Sequence, residues 1–153
     1  MLRDDGDIIR GLGFVALYAA YLEEQIENLL MMLAPVETYD EVKQRWPISM
    51  KIRHGVKVLS RLDTTEFPDM ATDLQTCLEL FEDRNEVIHG RIYANFDRPD
   101  TLKSGRPNTP DRDVTSEELY ELTNEFDDFR AAIYRPMIFK LPRAVAKYLN
   151  SMV

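Results

Sequence analysis

The chain is predicted to be all-α, an up-and-down bundle of four to five helices, on three observations. Apolar residues recur at three- and four-residue spacing in several long stretches, and no stretch reads as a strand. Prolines at 35, 47, 68 and 136 punctuate those stretches where helices begin or end. Most connections between them are short, which favours antiparallel neighbours. With 153 residues the simplest organisation is one domain over 1–153, large enough to bury about two thirds of its unfolded surface.

The first helix is expected from about Asp7 to Leu33, with Val15, Tyr18, Leu22, Ile26, Leu29, Leu30 and Leu33 at helical spacing, and Pro35 ending it. Its N-terminal half is apolar on nearly every side and therefore needs cover on every side, which predicts a partner subunit there. Glu23, Glu24, Glu27 and Asn28 mark a wetter face further on. Pro47 precedes a second helix, Ile48 to about Leu62, carrying Met50, Val56, Val58 and Leu59 among basic residues. Pro68 suits the first turn of a third, whose stripe is Met70, Leu74, Cys77, Leu78, Phe81 and Ile88, with Asn85 on the same side. Gly90 is a weak point, where the helix either stops or runs on to about Tyr93.

Ala94 to Val114 is polar and broken by Pro99, Gly105, Pro107 and Pro110. A connection that long is either functional or disordered, and a mobile loop is expected; its four basic and four acidic residues cancel. Thr115 with Glu118 reads as a capping box. Leu119, Leu122, Phe126, Phe129 and Ile133 follow as an amphipathic helix that Pro136 interrupts, and a short helix from Pro142 to about Asn150 closes the chain.

Composition narrows the function. A 44% hydrophobic, 30% charged balance is that of a soluble globular protein. The longest apolar run, Phe14 to Leu22, is about half of a bilayer span, so no membrane role is expected. No secretory leader is visible, and the single Cys77 cannot form an intrachain disulfide, so a cytoplasmic location is expected. The net charge of −8 works against non-specific nucleic-acid binding. An RNA partner would have to meet a local basic site, either Lys51, Arg53, His54, Lys57 and Arg61, where a solvated helix face is the simpler reading, or Arg84, His89 and Arg91. Glu23, Glu24 and Glu27 lack an accompanying Glu-x-x-His pair, and neither zinc spacing nor a phosphate-cradling glycine loop occurs, so no metal and no cofactor are expected.

The densest chemistry lies in ELFEDRNEVIHGRIY. Asn85 and His89 sit four residues apart, one turn along one face of a helix. Arg84 is rotated by about 100° but has the reach to swing toward the same end. An arginine offers a planar, permanently charged fork for phosphate, and histidine as a residue type exchanges its proton close to neutral pH. The set suits phosphodiester cleavage by an internal nucleophile, with His89 moving the proton and Arg84 stabilising charge on phosphorus. Within its own helix Arg84 has no acid three or four positions away. A structural use of the same residues, Arg84 in a tertiary ion pair and His89 capping a helix end, stays open.

Arg84-Asn85-x-x-x-His89, late in a helix of an all-α chain, resembles the Arg-x4–6-His motif of HEPN-domain proteins, in which the residue after Arg is commonly Asn. LGFVALYAAYLEEQIENLL looks like the long first helix of that fold, and SMKIRHGVKVLSRL resembles the Lys-containing second helix of some branches. The resemblance implies a metal-independent endoribonuclease using 2′-hydroxyl attack, a toxin or antiviral defence protein, dimeric so that two motifs face one cleft, with a cognate antitoxin or other protein partner. Arg84 and His89 are then catalytic, Asn85 orients them, Arg91 and Lys51 bind the substrate, and Glu24 orients the Arg84 site. The chain departs from the toxin-like members at Arg91, where they carry Tyr. The alternative is a non-catalytic HEPN-like helical module that binds a protein partner or a nucleotide.

Overall fold

A computed structural model describes all 153 residues. The chain is mostly helical: α1 (Ile8–Leu33), α2 (Glu41–Gln44), α3 (Ile48–Leu59), α4 (Met70–His89), α5 (Ser116–Phe139) and α6 (Leu141–Ser151), with three short strands, β1 (Arg91–Tyr93), β2 (Asp100–Lys103) and β3 (Arg112–Val114), between α4 and α5. It divides into two compact units. One is built from Met1–Ala20 and Glu79–Asp127, the other from Tyr21–Leu78 and Asp128–Val153. No helix is long and apolar enough to cross a membrane.

The first unit holds the strands. Its core is made by Val15, Leu80, Phe81, Val87, Leu119 and Phe126, all buried, and Phe81 meets Phe126 edge to face with ring centroids 5.3 Å apart. Removing the fully buried Phe126 ring would cost about 3–5 kcal/mol. The N-terminal segment is tied to α5 by the Asn124 side chain, which accepts from the Leu2 amide at 3.0 Å and donates to the Leu2 carbonyl at 3.3 Å. Tyr120 adds a hydroxyl bond to Asp5 at 2.9 Å. The Asp7 side chain caps α1 by accepting from the Arg10 amide at 3.0 Å.

Within Ala94–Val114, where no strand was expected, seven residues form β2 and β3, which with β1 make an antiparallel sheet of order β1-β2-β3, with Ile92 opposite Leu102 and Thr101 opposite Asp113. Each strand is only three or four residues long, too short for alternation to register in the sequence. Burial of Leu102 and Val114 gives the sheet its hold. In the β1–β2 connection Asn95 donates to the Pro99 carbonyl at 2.9 Å and to Thr101 Oγ1 at 2.8 Å, closing the turn with side-chain bonds.

The second unit is all-helical, with Leu22, Ile26, Leu30, Ile52, Leu74 and Ile133 fully enclosed. Gly55 lets α3 approach closely: a Cβ there would stand 3.1 Å from Leu30 Cδ2. Asp40 caps α2, accepting from the Lys43 amide at 3.0 Å; four residues of helix gave no periodicity to read. α3 ends at Leu59, three residues earlier than expected, because the Arg61 amide turns back to the Val58 carbonyl.

α5 runs through Pro136 rather than breaking there. Proline removes one helical hydrogen bond, but Ile133 and Met137 on either side are both buried, and the ladder resumes where the Lys140 amide reaches the Pro136 carbonyl at 3.0 Å. Half of the expected capping box forms: the Glu118 amide donates to Thr115 Oγ1 at 3.2 Å. The Glu118 carboxylate has gone to Arg112 instead.

Candidate functional site

α4 ends at His89, and the reason is steric. A Cβ at Gly90 would lie 2.6 Å from Leu102 Cδ1, 2.8 Å from the Glu86 carbonyl and 2.9 Å from the Lys103 carbonyl. Only glycine lets β2 pack this tightly on the helix end, and the chain turns there into β1. The β2–β3 turn closes in from the other side, since a Cβ on Gly105 would stand 3.0 Å from the His89 carbonyl oxygen. Between helix end and turn lies a cleft of about 290 Å³ lined by Asn85, Glu86, His89, Ser104, Gly105 and Arg106.

Asn85 and His89 therefore share one cleft, with Asn85 half-buried and His89 exposed at its mouth. Arg84 is half-buried, its guanidinium carbon 5.2 Å from the centre of the Phe81 ring, and it is not among the residues that line the cleft. Arg91 is exposed at the start of β1. Its register partner is Lys103, whose ammonium lies 5.4 Å from the Tyr93 ring centre, so Arg91, Tyr93 and Lys103 share the outer face of the sheet.

Lys51 and Glu24 belong to the other unit. Lys51 is half-buried and donates to Glu27 Oε2 at 2.7 Å. The Tyr39 hydroxyl donates to the same oxygen at 2.6 Å, and burial together with Glu27 pushes that hydroxyl well above the usual phenol range. Glu24 is exposed. Further along the same basic segment Lys57 and Arg61 both reach Glu37, at 3.5 Å and 3.3 Å, whereas Arg53 is exposed. Arg61 also donates to the Tyr148 hydroxyl at 2.7 Å. His54 is buried between Tyr39, stacked at 6.2 Å, and Trp46, edge-on at 5.6 Å.

Two further arginines organise the cleft. Arg112 on β3 bridges Glu86 of α4 through Nε at 2.7 Å and Glu118 of α5 through Nη2 at 2.7 Å. Those bonds, Glu118 foremost, hold its guanidinium still more firmly protonated than usual. The bridge neutralises Glu86, the one acid lining the cleft, and pins the strands to the helices. Arg106, in the β2–β3 turn, donates to Glu82 Oε2 at 3.0 Å, and both side chains are more than half exposed. Such a pair is worth about 0–1 kcal/mol. Neither arginine stood out in the sequence, because the charges of 94–114 cancel on paper; the Gly105-Arg106-Pro107 turn signal was the only local hint.

Asp83 lines a separate pocket with Arg112 and Glu118; burial raises its carboxyl above the usual range, and Glu86 and Glu79 add to the effect. Nowhere in the chain do three His, Cys, Asp or Glu side chains converge so that they could hold a metal ion. The cleft thus offers an imidazole for proton transfer, a carboxamide and a hydroxyl for hydrogen bonding, and a guanidinium at its rim. The chain matches no family model, and neither the curated proteins nor the solved structures include a significant match to it.

Proposed function

We propose that the protein is a metal-independent endoribonuclease with a HEPN-like site at the end of α4. One observation carries this reading: Asn85 and His89 line the same open cleft. His89 takes the ribose 2′-hydroxyl proton or returns one to the leaving 5′-oxygen, and Asn85 orients the imidazole or a phosphate oxygen. Arg84, beside Asn85 on α4, is the group to stabilise charge building on phosphorus, and to do so it must swing from its packing on Phe81 toward the cleft. Each such group typically contributes about 10²- to 10³-fold.

The working unit in this reading is a homodimer, which would bring a second histidine to divide the acid and base roles. Its support is the outer face of α1, where Ile9 is 80% exposed and Leu17 43% exposed, and where a Cβ on Gly13 would meet nothing within 4 Å. Ile9→Glu with Leu17→Glu should convert the dimer to monomer in sedimentation equilibrium; an unchanged mass would remove this face from the interface.

The test of the chemistry is RNA cleavage by the purified chain. His89→Ala should lower it at least a hundredfold with circular dichroism unchanged, products should carry cyclic phosphate ends, and EDTA should have no effect. Cleavage that survives His89→Ala, or that EDTA abolishes, sinks the proposal. A second reading, a non-catalytic module for a protein partner or nucleotide, is favoured by the packing of Arg84 on Phe81. It predicts binding with no cleavage by the unaltered chain.

A further inference from the structure

We propose that the β2–β3 turn is a phosphate clamp: Arg106 leaves Glu82 for a phosphate held in the cleft between His89 and Ser104. The inference deepens the endoribonuclease reading and rests on it for the identity of the phosphate's owner, a phosphodiester of RNA. The anion site itself stands on geometry alone.

An anion at this place meets an electrostatic obstacle. The cleft lies against the C-terminal end of α4, where the carbonyl-rich helix terminus carries partial negative charge, and Glu86 is part of the lining. Arg112 offsets Glu86 through their 2.7 Å bond, but a dianionic or monoanionic phosphate needs a cation of its own. Arg84 is packed against Phe81. Arg106 is the cationic side chain lining the cleft.

Three features equip it for the task. Its present partner, Glu82, is solvent-exposed, so exchanging one carboxylate for a phosphate costs little desolvation. The Arg106 backbone is held in the turn by its amide, which donates to Ser104 Oγ at 3.0 Å, leaving the Ser104 hydroxyl proton available as a donor. The close approach of Gly105 to the His89 backbone carbonyl holds the turn against the end of α4, and Ser104, Arg106 and His89 line the one cleft there. Guanidinium, hydroxyl and carboxamide then face one phosphate, with His89 beside it. No bond is made or broken in this step; Arg106 binds and positions.

The chain has only two histidines, so their imidazole proton resonances report the site directly. Inorganic phosphate titrated into the folded protein should shift the His89 resonance and leave that of the enclosed His54 in place. Arg106→Ala should weaken the apparent Kd about tenfold, Arg106→Lys should restore part of it, and Glu82→Gln, which releases the guanidinium, should tighten it several-fold. In RNA cleavage the same Arg106→Ala should raise KM more than it lowers kcat.

An unmoved His89 resonance, or an Arg106→Ala variant that titrates like the unaltered protein, overturns the clamp. If phosphate binds as described and RNA stays intact, the endoribonuclease reading fails and the anion site stands. If RNA is cut and Arg106→Ala neither binds nor cuts differently, the clamp falls and the nuclease stands.

Discussion

The two basic regions of the chain, α3 and the end of α4, look alike in sequence and are used in opposite ways. Each mixes a histidine with several Lys or Arg residues. In and just after α3 most of those cations have acid partners in their own unit, Lys51 with Glu27 and Lys57 and Arg61 with Glu37, while Arg53 stands exposed. The α3 histidine is sealed between two aromatic rings. At the end of α4 the histidine stands at the mouth of a cleft whose rim cation is held only by a weak surface pair. The difference teaches that a basic segment becomes available for ligands only where the acids of neighbouring elements leave it so. Composition cannot report that.

The sharpest way to break the comparison is to exchange the fates of the two histidines. His89→Ala should remove RNA cleavage by about 10²-fold or more and leave the thermal midpoint where it was. His54→Ala should do the reverse, lowering stability by about 2–4 kcal/mol through loss of a buried ring, with cleavage by the remaining folded protein intact. Equal effects of the two variants on melting would erase the contrast.

A smaller effect tests the pairing in α3. Glu27→Ala leaves the Tyr39 hydroxyl and the Lys51 ammonium without their shared acceptor, and should cost about 1–3 kcal/mol in urea denaturation. An unaltered urea midpoint would mean that the pair contributes nothing.

The smallest is a pH effect. Burial holds His54 below the usual imidazole range, with Lys43 and Lys57 acting in the same direction and Glu37 opposing them. The unfolded chain therefore accepts a proton below about pH 6.5 that the folded chain still refuses. This contribution to stability is fully present above that pH and is lost as pH falls toward the folded value. Urea midpoints at pH 7.5, 6.5 and 5.5 should fall more steeply for the unaltered protein than for His54→Phe.

The long helices were legible because their burial repeats over many turns. Val15, Leu22, Ile26, Leu29 and Leu33 are all enclosed, as the spacing in α1 requires. Pro136 misled because propensity is local whereas the burial of Ile133 and Met137 that carries α5 through it is tertiary. The strands were illegible because each buries one residue or none, and Gly90 reads the same whether it frays a helix or admits a neighbouring strand. In the site, the helix spacing of Asn85 and His89 was readable. The contribution of Ser104 and Arg106 was not, since it depends on a turn folding back across fifteen or more residues of chain.

The tight contact at Gly90 has a consequence for how this protein can vary over generations. Any larger residue at 90 collides with Leu102 and with two backbone carbonyls at once, so it is tolerated only if the strand retreats from the helix end. A smaller residue at 102 would leave both carbonyls in the way, so position 90 should stay glycine in descendants of this sequence. Position 106, whose side chain is more than half exposed and held only by its pair with Glu82, can drift without disturbing the fold, and whatever constancy it shows must come from selection for what it holds.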